Sequence, residues 1–147
     1  MKKIFIGIIL LLSFLTITAC SKKEVKNNIN SSNERADTLK IIINKKEYLV
    51  DLENNETVDE FLKELPNDME MTELNGNEKY AYLDQSLPTN PISPKQIEKG
   101  DIMLFGDNCF VIFYQTFKTS YTYTKIGHIR EMPDLNSDNI KVSFINY

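Results

Sequence analysis

The chain has 147 residues, with 17 basic and 21 acidic side chains and a formal net charge of -4. An acidic chain with no basic cluster is a poor match for nucleic acid or for electrostatic attachment to anionic lipid. Its single histidine excludes metal sites built on several imidazoles, and its two cysteines allow one disulfide at most.

Lys2 and Lys3 open the chain, and an almost purely apolar run follows from Ile4 to Thr18. At about 15 residues it falls short of the ~20 that a helix needs to cross a bilayer, so residues 1–19 read as a signal peptide. The run closes on Ile17-Thr18-Ala19-Cys20, which resembles the bacterial lipobox. An aliphatic residue and two small ones fit the peptidase groove, and the thiol is nucleophilic enough to take a diacylglyceryl group. Cys20 is therefore the expected lipidation site. One acyl chain binds membranes only marginally, but two anchor stably at about 0.8 kcal/mol per buried CH2. The expected location is the extracytoplasmic face of a cell membrane, with the lipid as the membrane contact. Loss of Lys2 and Lys3 with the leader takes the formal charge to about -6. Lipidation of Cys20 also leaves Cys109 without a disulfide partner. That thiol stands in the apolar run Cys109-Phe110-Val111-Ile112-Phe113-Tyr114, where burial keeps it inert.

From Cys20 to Asp37 the chain is polar and nearly free of apolar residues. It buries too little surface to offset the entropy of ordering, which predicts a flexible tether. The remaining residues, 38–147, suffice for one small domain. Leu39–Ile43 and Tyr48–Leu52 read as two strands joined in a hairpin at Asn44-Lys45-Lys46. Thr57-Val58-Asp59-Glu60 has the form of a capping box, and Val58, Phe61, Leu62 and Leu65 make one apolar stripe at helical spacing before Pro66 ends it. Met69, Met71 and Leu74 lead into the turn Asn75-Gly76-Asn77, and Lys79–Leu83 follows as a strand with Tyr80 and Tyr82 on one face. Leu87 to Pro94 carries three prolines and predicts an extended loop. Lys99-Gly100-Asp101 turns into Ile102–Phe105, and Gly106-Asp107-Asn108 turns into Cys109–Tyr114. Both runs are apolar on both faces, as in the middle of a closed barrel with a covering helix. Ser120–Ile126 alternates Tyr and Thr, placing Tyr121 and Tyr123 on one strand face, and Ile140–Ile145 supplies the last strand. The fold class is mainly β: a small closed antiparallel β-barrel with one covering α-helix.

Two segments carry a family resemblance. Leu74-Asn75-Gly76-Asn77-Glu78-Lys79-Tyr80 and Gly100-Asp101-Ile102-Met103-Leu104-Phe105-Gly106-Asp107-Asn108-Cys109 resemble the motifs of the bacterial cyclophilin-like domain family. The likeness runs from about Leu39 to Phe144 and implies a closed barrel of cyclophilin-like type with helical cover. It implies no activity. Prolyl isomerases of cyclophilin type work through an arginine in an F-H-R-type segment around a proline pocket. No such segment occurs here, and His128 stands in Ile126-Gly127-His128-Ile129-Arg130 instead.

The chain has no glycine-rich phosphate loop, H-E-x-x-H, C-x-x-C or G-x-S-x-G motif. No catalytic residue, metal ligand or cofactor is therefore expected, and Asp101 and Asp107 read as turn residues. The paired tyrosine faces are the candidate binding surface: Tyr80, Tyr82, Tyr121 and Tyr123 as a groove wall, with Arg130 as its charged group. The function these residues favour is a non-catalytic binding module for a small molecule or a peptide. One alternative is a divergent prolyl isomerase assisting exported proteins, with Arg130 as the donor that weakens amide resonance. The other is an accessory subunit of an envelope complex.

Overall fold

The computed structural model describes residues 37–136 and 138–145. The expected signal peptide, Cys20 and nearly all of the expected tether lie outside the described residues.

The first hairpin joins β1 (Thr38–Ile43) to β2 (Lys46–Leu52) through Asn44-Lys45. Both turn residues have positive φ, 52° and 67°, the left-handed pair whose twist matches that of the flanking strands. Helix α1 (Glu56–Lys63) follows. It starts earlier than the Thr57 capping box predicts. Asn55 is the N-cap, its side chain accepting from the Val58 N–H at 2.9 Å, and Thr57 Oγ1 donates instead to the Pro88 carbonyl at 2.7 Å. An asparagine in extended conformation caps as well as a threonine, and it frees Thr57 to tie down the proline-rich loop. The helix also ends at Lys63, so Leu65 packs against the core from beyond it.

Two further hairpins pair β3 (Asp68–Leu74) with β4 (Glu78–Tyr82), and β6 (Asp101–Phe105) with β7 (Cys109–Phe113). Asn75 and Gly76 make the first turn with φ of 58° and 71°. With β9 (Thr124–Ile129) and β10 (Ile140–Ile145), eight antiparallel strands close a barrel in the order β1-β10-β3-β4-β7-β6-β9-β2. This is the architecture the strand pattern predicts, with a single short helix among the described residues. Closure leaves no strand of the ring without a partner on each side. Outside it, β5 (Gln96–Ile97) and β8 (Phe117–Lys118) form a two-stranded ladder.

Alternation along each strand sends one set of side chains inward. Ile41, Ile43, Val50, Met71, Ile102, Leu104, Phe110, Ile112, Ile129 and Val142 fill the interior. Helix α1 closes one end of the barrel, where Phe61 stacks on Phe110 with ring centroids 5.1 Å apart and meets Phe144 edge-on at 5.8 Å. The other end is closed by a lysine. Lys79 is fully buried, donates to the carbonyls of Asn136 and Asp138 at 2.6 and 2.8 Å, and lies 4.6 Å from the centre of the Tyr114 ring. Desolvation pulls its ammonium below the usual lysine range, but two carbonyl dipoles and an aromatic face keep it bonded.

The outer faces of β6 and β7 are buried too, and the helix is not what covers them. Met103, Cys109, Val111 and Phe113 pack beneath Ile97, Phe117 and Tyr123, side chains of the β5 and β8 segments and the chain leading into β9. Here the structure departs from the sequence reading. Ser120–Thr122 forms no strand, and Tyr123 makes only an isolated bridge, its N–H and C=O exchanging hydrogen bonds with Ile92. The Tyr-Thr alternation therefore lies across the barrel's outer wall, held by the proline-rich loop.

Candidate functional site

Four outward-facing elements meet on that wall. In β4 the residues Glu78, Tyr80 and Tyr82 share the outer face, since neighbours two apart point the same way. Tyr80 sits opposite Val111 of β7 and Tyr82 opposite Cys109, while Cys109 is in turn opposite Phe105 of β6. Tyr121 and Tyr123 come down on these rows from the segment before β9. Together they enclose a groove of about 320 Å³, to which Leu74 and Asn75 add one rim. Its size is in the range of small-ligand pockets.

The groove is aromatic and acidic. Tyr80 and Tyr82 meet edge to face at 5.8 Å, Phe105 and Tyr121 edge to face at 5.9 Å, and Phe105 lies 5.6 Å from Tyr123. In an edge-to-face pair one ring's edge covers a single face of its partner, and the other faces stay uncovered by the pair itself. Tyr82 and Tyr121 are 68% and 62% exposed, unusual for rings that stand over an apolar floor. Glu78 is the one charged side chain in the lining. Among the described residues it has no hydrogen-bond or ion-pair partner. Burial, and then the nearby Glu73, holds its carboxyl above the usual carboxylate range. Its charge reaches its neighbours: the Cys109 thiol is pushed up first by burial and then by Glu78, and so is the Tyr123 hydroxyl. A thiol so displaced stays protonated and is a poor nucleophile.

A second cavity of about 700 Å³ adjoins the first. The pairing of β3 with β4 covers only Thr72–Leu74 against Glu78–Tyr80, so the wall parts between the first half of β3 and the end of β4. Glu64, Asp68, Glu70 and Asp84 line this cleft and no basic side chain does, while Tyr80 and Tyr82 form the ridge it shares with the groove. Asp68 is held below the ordinary carboxylate range by the Ser143 hydroxyl and then by Lys141, so part of its charge is already matched.

The structure thus brings Tyr80, Tyr82, Tyr121 and Tyr123 together, and it places Arg130 elsewhere. The Arg130 guanidinium donates through Nε and Nη2 to the Asp51 carboxylate at 2.6 to 3.1 Å and lines neither cavity. A bidentate partner across β2 and β9 occupies the fork that the sequence reading assigned to a ligand. Tyr121 and Tyr123 reach the groove through loop packing, not through a shared strand face. Glu78 and Phe105 escaped the sequence reading, although Glu78 precedes Tyr80 by two positions and period-two alternation puts it on the same face.

The remaining polar chemistry is structural. Asp101 is buried and accepts from the Glu98 N–H at 2.9 Å and from His128 Nδ1 at 3.0 Å, fixing the turn into β6 and the ring of His128. No group of three or more His, Cys, Asp or Glu side chains placed to hold a metal occurs among the described residues.

Comparison with known proteins yields one match. The model of the cyclophilin-like family fits residues 41–144, from within β1 to within β10. No curated protein and no solved structure matches the chain.

Proposed function

The chain belongs to the cyclophilin-like family, and from that premise we propose that its barrel is a non-catalytic binding module for a small molecule or peptide, carried on a lipoprotein anchored at the extracytoplasmic face of a membrane. The observation that carries the binding reading is the convergence of Tyr80, Tyr82, Tyr121 and Tyr123, from two separate segments, on one groove. Aromatic side chains supply large contact area at little conformational cost, and rings left this exposed have contact area still to bury. The anchor rests on the positively charged start, the short apolar run and Ile17-Thr18-Ala19-Cys20. The isomerase alternative loses its donor. A guanidinium engaged twice by Asp51, and outside the aromatic groove, is not placed to polarise a proline amide.

The test is a binding screen of proline-containing peptides and small amphiphiles against the full chain and against the double variant Tyr82→Ala/Tyr121→Ala. Ligands retained by the wild type and lost by the double variant support the groove as the binding site. Equal binding to both proteins refutes it. For the anchor, Cys20→Ser should shift the protein from the membrane fraction to the soluble one, and unchanged fractionation would count against lipidation at Cys20.

A further inference from the structure

Taking the groove as a binding site, as the preceding reading does, we propose that its ligand presents an alkylammonium group, quaternary or N-methylated, seated between the tyrosine rings and the Glu78 carboxylate. Three observations lead there. First, five aromatic rings line the groove, and the faces of such rings carry negative charge and attract cations within about 6 Å of a ring centre. The same chain already uses this contact internally, with Lys79 4.6 Å from the Tyr114 ring and Lys46 5.3 Å from the Tyr48 ring. Second, the groove's one carboxylate, Glu78, is half-buried, and no cation among the described residues pairs with it. A desolvated charge without a partner is costly, and a ligand cation would remove that cost on binding. Third, every charged side chain in the lining of the groove and the adjoining cleft is acidic. An anion would meet repulsion from both, and a neutral apolar ligand would leave Glu78 unmatched.

The preference for an alkylated nitrogen over a bare ammonium follows from the floor. Val111 and the protonated Cys109 offer apolar contact and no hydrogen-bond acceptor comparable to water. A primary ammonium would lose its hydration there, whereas methyl groups on nitrogen spread the charge and welcome such a surface. Tyr82 and Tyr121, both largely exposed, are the lining rings with the most area left to bury against it.

The experiment titrates the full chain, in a maltoside micelle and with labelled tyrosine rings, with choline and separately with 3,3-dimethylbutan-1-ol, its neutral isostere. Ring signals are followed by NMR against a sodium chloride control. Choline is expected to saturate the Tyr82 and Tyr121 shifts at least tenfold more tightly than the isostere. Glu78→Gln is expected to weaken choline and leave the isostere unchanged. Tyr82→Phe should keep binding and Tyr82→Ala should lose it, with amide spectra confirming that each variant is folded. A peptide carrying trimethyllysine tighter than free choline would support the proposal with a protein side chain as the source; the reverse order would support it with a small molecule. Equal binding of choline and its isostere would overturn the cation while leaving the binding module standing. No choline-specific shift beyond the sodium chloride control would also overturn it, and the peptide and amphiphile screen would then judge the module separately.

Discussion

Gly127 tests how rigidly the barrel is closed. It lies in β9 opposite Leu52 of β2, in a seam with only three paired positions. A Cβ built on it would stand 2.4 Å from the Asp51 carbonyl oxygen and 3.0 Å from Val50 Cγ1. Ordinary contact needs about 3.4 Å, so Gly127→Ala must push the β2 backbone away by roughly 1 Å, because a carbonyl in a ladder cannot rotate aside. Overpacking of this kind costs about 1–3 kcal/mol. Weakening one or two hydrogen bonds of the seam adds about 1 kcal/mol each. The sum, about 3 kcal/mol, corresponds to roughly a 10–20 °C loss of Tm for a domain of this size. Gly76→Ala is the control. Its Cβ would meet nothing within 4 Å, but its φ of +71° carries the left-handed penalty of about 1–2 kcal/mol. Thermal unfolding followed by circular dichroism measures both. A Gly127→Ala protein melting within about 2 °C of wild type would refute the reasoning, since the seam would then yield an ångström without cost.

Three other outcomes follow from the same contacts. Glu78 has its folded carboxyl raised above the ordinary 4.5 by burial and Glu73, so its contribution to stability is full below the unfolded value and lost as pH rises through the folded one. Glu78→Gln should therefore raise Tm at pH 7 and match wild type in acid, and a lower Tm at pH 7 would contradict the account. Such a gain would mark Glu78 as a residue that stabilises the fold less than its replacement does, as binding sites often do. Phe61→Ala should cost about 3–5 kcal/mol in urea denaturation, since it empties the space against Phe110 and Phe144; a loss under about 1 kcal/mol would mean the helix does not plug the barrel. Lys79→Met removes two charged hydrogen bonds worth about 1.5–3 kcal/mol each before desolvation is counted. Hydrogen exchange should then speed up by at least about tenfold in the Glu131–Asn136 segment and much less in β7, and uniform acceleration of both would count against Lys79 as the local tie.

The groove joins a local pattern to a long-range one. Tyr80 and Tyr82 follow from alternation in β4, and Phe105 faces Cys109 through the β6–β7 hairpin, whose two-sided apolar runs already signal cover on both faces. Tyr121 and Tyr123 arrive by a different route. Their alternation mimics a strand, yet the backbone there bonds to the Ile92 region and forms no barrel pairing. Periodicity reports which residues want one side; it does not report what that side packs against. Arg130 shows the same limit. In sequence its neighbours are Ile129 and Glu131, and only the β2–β9 pairing, which sets Asp51 opposite His128, reveals Asp51 within its reach.

What the sequence determined by itself was whatever depends on near neighbours. Turn residues marked the hairpins, prolines marked the loop, alternation set the faces of β4, and the mainly β character with one helix came from counting short apolar runs. Tertiary structure decided the rest: the closure of eight strands, the helix plugging an end, the loop covering β6 and β7, the burial of Lys79, and the meeting of two tyrosine pairs around Glu78. These depend on contacts between residues tens of positions apart, and such contacts are chosen by which surfaces remain uncovered once the local elements have formed. Near neighbours in the chain carry no record of that choice.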